Sequence, residues 1–217
     1  MQPTLFDRMP APETPDESLG TGTAILRGLA KARGTTLLDA LLSVAAQSPF
    51  RHMVTPGGFR MSVAMTNCGF LGWVTDRTGY RYASIDPETN QPWPAMPTVF
   101  MDLARQAATL AGFPKFVPDA CLINRYEPGA RLTLHQDKNE SDYAEPIVSV
   151  SLGLPATFLF GGLERSDKTV RIPVEHGDVV VWGGPARLRY HGVLSLKEGV
   201  HPIAGRYRFN LTFRKAG

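Results

Sequence analysis

From Ala120 to the C-terminus turn-forming residues interrupt the chain every few positions, and this rhythm leaves room for little but short strands. Candidate strands cover 120–126, 131–135, 146–152, 157–160, 169–174, 178–182, 187–191 and 206–213. Glu127-Pro128-Gly129, Gly161-Gly162, His176-Gly177-Asp178 and Gly183-Gly184-Pro185 separate them. Glycine reaches positive φ without strain, and proline removes a ladder donor, so both end strands. Short strands at this spacing predict an all-β sandwich or barrel.

The first half reads differently. Residues 1–22 scatter Pro3, Pro10, Pro12 and Pro15 among polar residues and read as a poorly ordered tail. Ala24 to Leu26 forms a short strand. Leu37, Leu38, Leu41, Leu42 and Val44 fall at helical spacing within 35–47, and Pro49 stops the pattern. Residues 54–96 mix glycines and prolines with Phe59, Phe70, Trp73, Tyr80, Tyr82 and Trp93, which suits short strands and a binding lid rather than helices. Pro97 opens a second helix to about Ala111, and Gly112 caps it. The organisation expected is one domain over 23–217, with a lid at about 54–96 and a β core at about 118–214.

A net charge of +3 and a pI near 9.0 are compatible with a polyanionic partner but do not require one. Cys68 and Cys121 are too few for a disulfide framework and read as free thiols. No stretch reaches the ~20 apolar residues of a membrane span, and the N-terminus lacks an apolar signal core, so the expectation is a cytoplasmic protein.

Three groups of residues carry chemistry. His135 and Asp137 lie two apart where a candidate strand ends, and residues two apart in a strand point to one face, so the two can chelate one ion. A further histidine would complete a two-His, one-carboxylate set, the ligand pattern of non-haem Fe(II) oxygenases. His191 is the first choice for that place and His176 its rival. In Arg208-Phe209-Asn210-Leu211-Thr212-Phe213-Arg214 the polar residues alternate with apolar ones and so share a face. That is either an antiparallel strand with one wet face, or a pair of guanidinium groups held out to a dicarboxylate. Asn124 and Tyr126 face the same way and offer an amide and a phenol, a combination that a solvated face explains equally well.

Together these groups resemble the AlkB family of nucleic-acid demethylases. The run Pro118 to Tyr126 resembles the family's cosubstrate strand, Leu134-His135-Gln136-Asp137-Lys138 its HxD motif, and Asn210 to Arg214 its closing NxTxR motif. Ile147 to Pro155 and Glu175 to Gly184 resemble its core strands. The segments 53–58 and 61–67 look like its nucleotide-recognition lid. The resemblance runs from about residue 22 to the C-terminus.

It implies a mainly β, α+β fold: a double-stranded β-helix (jelly roll) with outer helices and a β-rich lid. It also implies Fe(II) held by His135, Asp137 and His191, and 2-oxoglutarate held by Arg208 and Arg214 with Asn124, Tyr126 and Asn210. O2 would be the oxidant. The reaction would be oxidative demethylation of bases such as 1-methyladenine and 3-methylcytosine in single- or double-stranded DNA, or in RNA, releasing formaldehyde, succinate and CO2. Trp73 and the ring of His135 would sandwich the base, with Thr55, Met65 and Tyr80 lining the lid and Arg165 nearby. The expected state is a monomer with no obligate protein partner and no membrane association.

Two departures stand out. Asn139 replaces an acidic residue of the bacterial members, leaving an acceptor oxygen without charge, and Phe59 replaces a tyrosine. The readings that compete are the same chemistry on RNA, tRNA or a protein side chain, and a non-enzymatic jelly-roll module with a structural metal.

Overall fold

Alternation along each strand sorts side chains onto two faces, and here the sorting builds two cores. The computed structural model describes residues 18–217. Six strands form a large antiparallel sheet in the order β1 (Thr23–Leu26), β10 (Val179–Trp182), β7 (Ile147–Gly153), β12 (Arg208–Arg214), β5 (Ala120–Tyr126) and β2 (Ala64–Gly69). Four more form a second sheet in the order β6 (Leu132–His135), β11 (His191–Val193), β8 (Ala156–Phe160) and β9 (Val170–Val174). A separate hairpin joins β3 (Gly72–Asp76) to β4 (Gly79–Ala83). The fold is the double-stranded β-helix expected, without a closed barrel.

Odd-numbered residues of β12 and β5, and even-numbered residues of β7, face the helices. Phe209, Leu211 and Phe213 of β12, with Cys121 and Ile123 of β5, pack against α1 (Gly34–Gln47) and α2 (Thr98–Leu110). The helices contribute Leu37, Leu41, Phe100, Leu103 and Ala104 to this layer. The second core fills the space between the sheets, with Ile25, Ile147, Val180 and Trp182 meeting Phe158, Phe160, Ile172 and Val174. Helix α2 ends where Gly112 takes φ +90°. The N–H groups of Gly112 and Phe113 donate back to Thr109 and Ala108 (3.0 and 2.8 Å), the glycine-terminated cap that the sequence predicts. Cys68 and Cys121 are free and buried, opposite one another across β2 and β5.

The structure corrects three expectations. The strand expected over 187–191 does not form. A 3-10 turn at Gly184–Ala186 keeps the backbone curled, with the Arg187 and Arg189 N–H groups donating to Gly184 and Ala186 (both 3.0 Å). The alternation of Arg187 and Arg189 has another cause: both guanidinium groups turn inward onto main-chain carbonyls. His191 therefore begins a strand instead of ending one. Part of the segment expected as lid, residues 64–69, is an edge strand of the large sheet, paired with β5. Of the expected tail, residues 1–17 lie outside the described residues. Residues 18–22 form a turn in which Thr23 Oγ1 donates to Gly20 O at 2.7 Å.

Candidate active site

Between the sheets lies a cavity of about 330 Å³. Apart from the rival ligand His176, every residue singled out in the sequence for metal, cosubstrate or base lines it: His135, Asp137, His191, Asn124, Tyr126, Arg208, Asn210, Arg214, Trp73, Tyr80, Thr55, Met65, Asn139 and Arg165. The even positions of β12 face this space and are all buried, so the polar face of that strand is enclosed rather than wet.

His135 closes β6 and His191 opens β11, and the register pairs them directly. Asp137 follows in the loop after β6. The ligand atoms of the three residues lie within 4.8 Å of one another. Each histidine donates its Nδ1–H to a main-chain carbonyl two residues back, His135 to Thr133 (2.8 Å) and His191 to Arg189 (3.1 Å). Those bonds fix the tautomer and leave both Nε2 lone pairs for a metal, 3.8 and 3.7 Å from the oxygens of Asp137. Burial, reinforced by His135, lowers the His191 pKa to about 3. Burial opposes the charge on Asp137, but Arg214 and the two histidines outweigh it and hold the carboxyl well below its usual range. Neutral imidazoles and an ionised carboxylate are the forms that ligate, so the donor set fits Fe(II). The rival ligand His176 lies outside this cluster. Its ring packs on His201 at 4.6 Å, and its Nδ1 accepts from Gly153 N–H.

The two arginines of β12 differ. Arg214 Nε and Nη2 donate to Asp137 Oδ2 at 2.9 and 2.6 Å. Arg208 is 2% exposed, and among the described residues its Nη2 donates to Ser151 Oγ at 3.1 Å. Its Nε and Nη1 have no hydrogen-bond partner among the described residues, and the Tyr126 ring lies 4.9 Å beneath the guanidinium. Burying an ionised group with unused donors is costly unless a ligand satisfies them. A carboxylate of 2-oxoglutarate fits that need, and the unpartnered, buried Asn124 Oδ1 marks the same floor. Asn210 spends its own amide on Ser149 Oγ, Val150 O, Asn124 Nδ2 and Thr212 Oγ1, so it holds the floor together.

At the mouth, Trp73 and Tyr80 stack at 5.7 Å. Asn67 clamps Trp73 by bonding both its main-chain N–H and its C=O at 3.0 Å. Met65 reaches the cavity from β2, hence from the sheet and not from a lid. Thr55 sits in a turn in which Gly58 N–H donates to its carbonyl, and Arg165 stands exposed with its guanidinium 5.9 Å from the Tyr190 ring. The acceptor oxygen expected of Asn139 already takes one bond, from the donor-only indole N–H of Trp73 to Oδ1 (3.2 Å). A second lone pair and the NH2 group of that amide remain for a bound base.

Sequence reasoning missed Glu140, Arg187 and Tyr82, which make a buried hydrogen-bonded layer behind Asp137. It also missed Trp182 and Phe158, whose rings flank His191 at 4.8 and 6.1 Å. Only the proximity of Glu140 to Asp137 in the chain could have pointed to any of them.

Residues 22–214 match the family model of the 2OG-Fe(II) oxygenase superfamily. The alpha-ketoglutarate-dependent dioxygenase AlkB of Escherichia coli is 60% identical over 98% of this chain and 99% of its own length. Mouse ALKBH1, a nucleic acid dioxygenase, is 34% identical over 57% of this chain and 31% of its own. The solved structure of OsALKBH1 superposes with a TM-score of 0.78 at 28% identity, covering 91% of this chain and all of that one.

Proposed function

The chain belongs to the 2OG-Fe(II) oxygenase superfamily, and from that premise we propose that it repairs alkylated DNA by oxidative demethylation of N-methylated bases. It is a 2-oxoglutarate-dependent dioxygenase that uses Fe(II) as cofactor and O2 as oxidant. Nucleic acid fits as the substrate class, given what its relatives are named for. DNA over RNA, a monomeric state, a cytoplasmic location and a single dioxygenase domain over 23–217 are parts of the proposal. No helix among the described residues is long and apolar enough to cross a membrane. The observation that carries the reading is the stacking of three functions in one cavity. Unused donors of Arg208 lie at its floor, the His-Asp-His triad above them, and the Trp73–Tyr80 pair at its mouth.

His135, Asp137 and His191 would hold the metal, as the two-His, one-carboxylate set of this oxygenase chemistry does. Arg208, with Asn124 and Tyr126, takes the far carboxylate of 2-oxoglutarate and aligns the other end toward the metal. Arg214 braces Asp137 and adds positive charge beside the keto acid end. Trp73 offers its face to an extruded base, the geometry a base must adopt to be reached at all, and a cationic lesion gains cation–π attraction there. Arg165 and Lys138, exposed at the rim, meet the phosphates. When bound, Fe(II) supplies the coupled oxidation in which 2-oxoglutarate becomes succinate and CO2 and the methyl group leaves as formaldehyde.

Mass spectrometry of a single-stranded oligonucleotide bearing one 1-methyladenine or 3-methylcytosine tests this. The protein is incubated with Fe(II), 2-oxoglutarate and ascorbate in air, beside His135→Ala. Loss of the methyl mass that needs 2-oxoglutarate and disappears in the variant is expected. Succinate formation without methyl loss would move the substrate elsewhere.

A further inference from the structure

The β3–β4 hairpin and the triad belong to different sheets, yet a buried series of hydrogen bonds and ion pairs joins them. Trp73 pairs with Tyr82 and Thr75 with Tyr80 across the hairpin, so these four side chains share one face. From that face Tyr82 Oη donates to Glu140 Oε1 at 2.6 Å. The Glu140 side chain is 1% exposed and lies between two guanidinium groups, with Arg187 Nη2 3.1 Å from Oε2 and Arg214 Nε 3.5 Å from Oε1. Both arginines continue to Asp137. Arg214 reaches its carboxylate, and Arg187 Nη1 donates to its main-chain carbonyl at 2.8 Å.

Arg214 Nε thus stands between two carboxylates, 2.9 Å from Asp137 and 3.5 Å from Glu140. How firmly it stays with Asp137 depends on how well Glu140 Oε1 is satisfied elsewhere, and Tyr82 is the group that satisfies it. Without that hydroxyl, Glu140 draws Arg214 away and Asp137 loses its brace. In a buried setting such exchanges are costly, so the four charged groups move together or not at all.

We propose that Tyr82 is a positioning residue that ties the seating of the β3–β4 hairpin to the orientation of Asp137, so that metal binding and hairpin closure reinforce one another. The proposal rests on the reading of Asp137 as a metal ligand. Fixing Asp137 fixes Arg214, then Glu140, then the acceptor on which Tyr82 docks, and a seated hairpin holds the same series from its other end. Coupling of this kind is reciprocal: whatever the metal does for the hairpin, the hairpin does for the metal. Base stacking on Trp73 is thereby linked to a correctly placed metal ligand.

The test is amide hydrogen exchange of residues 72–83 in the full chain, with and without Mn(II) as the only addition. Mn(II) slows exchange there several-fold in the wild type. The same slowing is expected in Arg81→Ala, which removes a guanidinium paired with Asp76 on the hairpin's exposed side. In Tyr82→Phe the slowing is lost, and Mn(II) affinity measured by calorimetry falls about 10-fold, the low end of what partners behind a metal ligand contribute. Glu140→Gln, a second variant, loses the slowing too, because its neutral amide no longer balances Arg187 and Arg214. Equal slowing in wild type and Tyr82→Phe with Mn(II) bound to both overturns the proposal, as does a wild-type hairpin that ignores bound Mn(II). A wild type that binds no Mn(II) removes its premise and overturns it as well. The exchange readout needs no nucleic acid, so a chain that shows the linkage but demethylates nothing refutes the DNA-repair reading alone.

Discussion

His135 and His191 come to the metal with their tautomers set by main-chain carbonyls, and Asp137 comes braced by Arg214. His191→Ala, which opens one of three ligand positions, is expected to cut demethylation at least ~100-fold and to abolish tight Mn(II) binding by calorimetry. Arg208→Ala removes the unused donors at the floor. It raises the KM for 2-oxoglutarate about 10- to 100-fold and leaves nucleic-acid affinity unchanged, by succinate formation and oligonucleotide titration. At the mouth, Trp73 takes one lone pair of the Asn139 oxygen, and the neutral amide brings no negative charge to a base amine, as a carboxylate would. Asn139→Asp should raise the rate on 3-methylcytosine relative to 3-methylthymine about tenfold, one hydrogen bond's worth of ~1.4 kcal/mol. Unaltered relative rates would sink that reading of Asn139. β12 was legible because a period of two is a local rule, and His135 and Asp137 because they lie two apart; His191 is set apart from its rival His176 by the pairing of β11 with β6. Glu140, Arg187 and Tyr82 were not legible, because each acquires its role from partners dozens of residues away.

At the scale of elements, β12 does two things with one alternation: it anchors the helical core with odd residues and floors the cavity with even ones. Leu211 is fully buried against the helices, so Leu211→Ala is expected to cost about 2–5 kcal/mol in urea unfolding through the cavity it leaves. The strand that ends in His135 could be read from turn residues and alternation, but the one that His191 opens could not. Residues 187–190 could not, since arginines drawn inward onto carbonyls imitate strand alternation. Nor could the placement of β2 in the main sheet, because pairing with β5 is decided by register over more than fifty intervening residues. The hairpin's hold on Trp73 through Asn67 is equally a matter of tertiary pairing.

The whole molecule has a second histidine pair, at the Gly153 end of β7 and against Gly34 at the start of α1, and it sets a pH dependence of stability. Burial, then His201 and Lys31, lower the His176 pKa from its ordinary 6.5, and burial lowers that of His201. Depressed values mean that the fold favours neutral rings. Their contribution is complete above about pH 6.5 and is lost as the pH falls below it, when a protonated His176 Nδ1 can no longer accept from Gly153. The thermal midpoint should therefore be lower at about pH 5.5 than at about pH 7.5, and His176→Gln should narrow the difference. The cavity runs from exposed Tyr80, Asn139 and Arg165 down to Arg208 at 2% exposure, so depth and sequence of arrival are linked. On the proposed function, the small dicarboxylate is expected to enter before the nucleotide seals the opening, and its shortened remnant to leave after the nucleotide has gone. The molecule works as a narrow-necked vessel, in which the last guest to arrive decides when the first may depart.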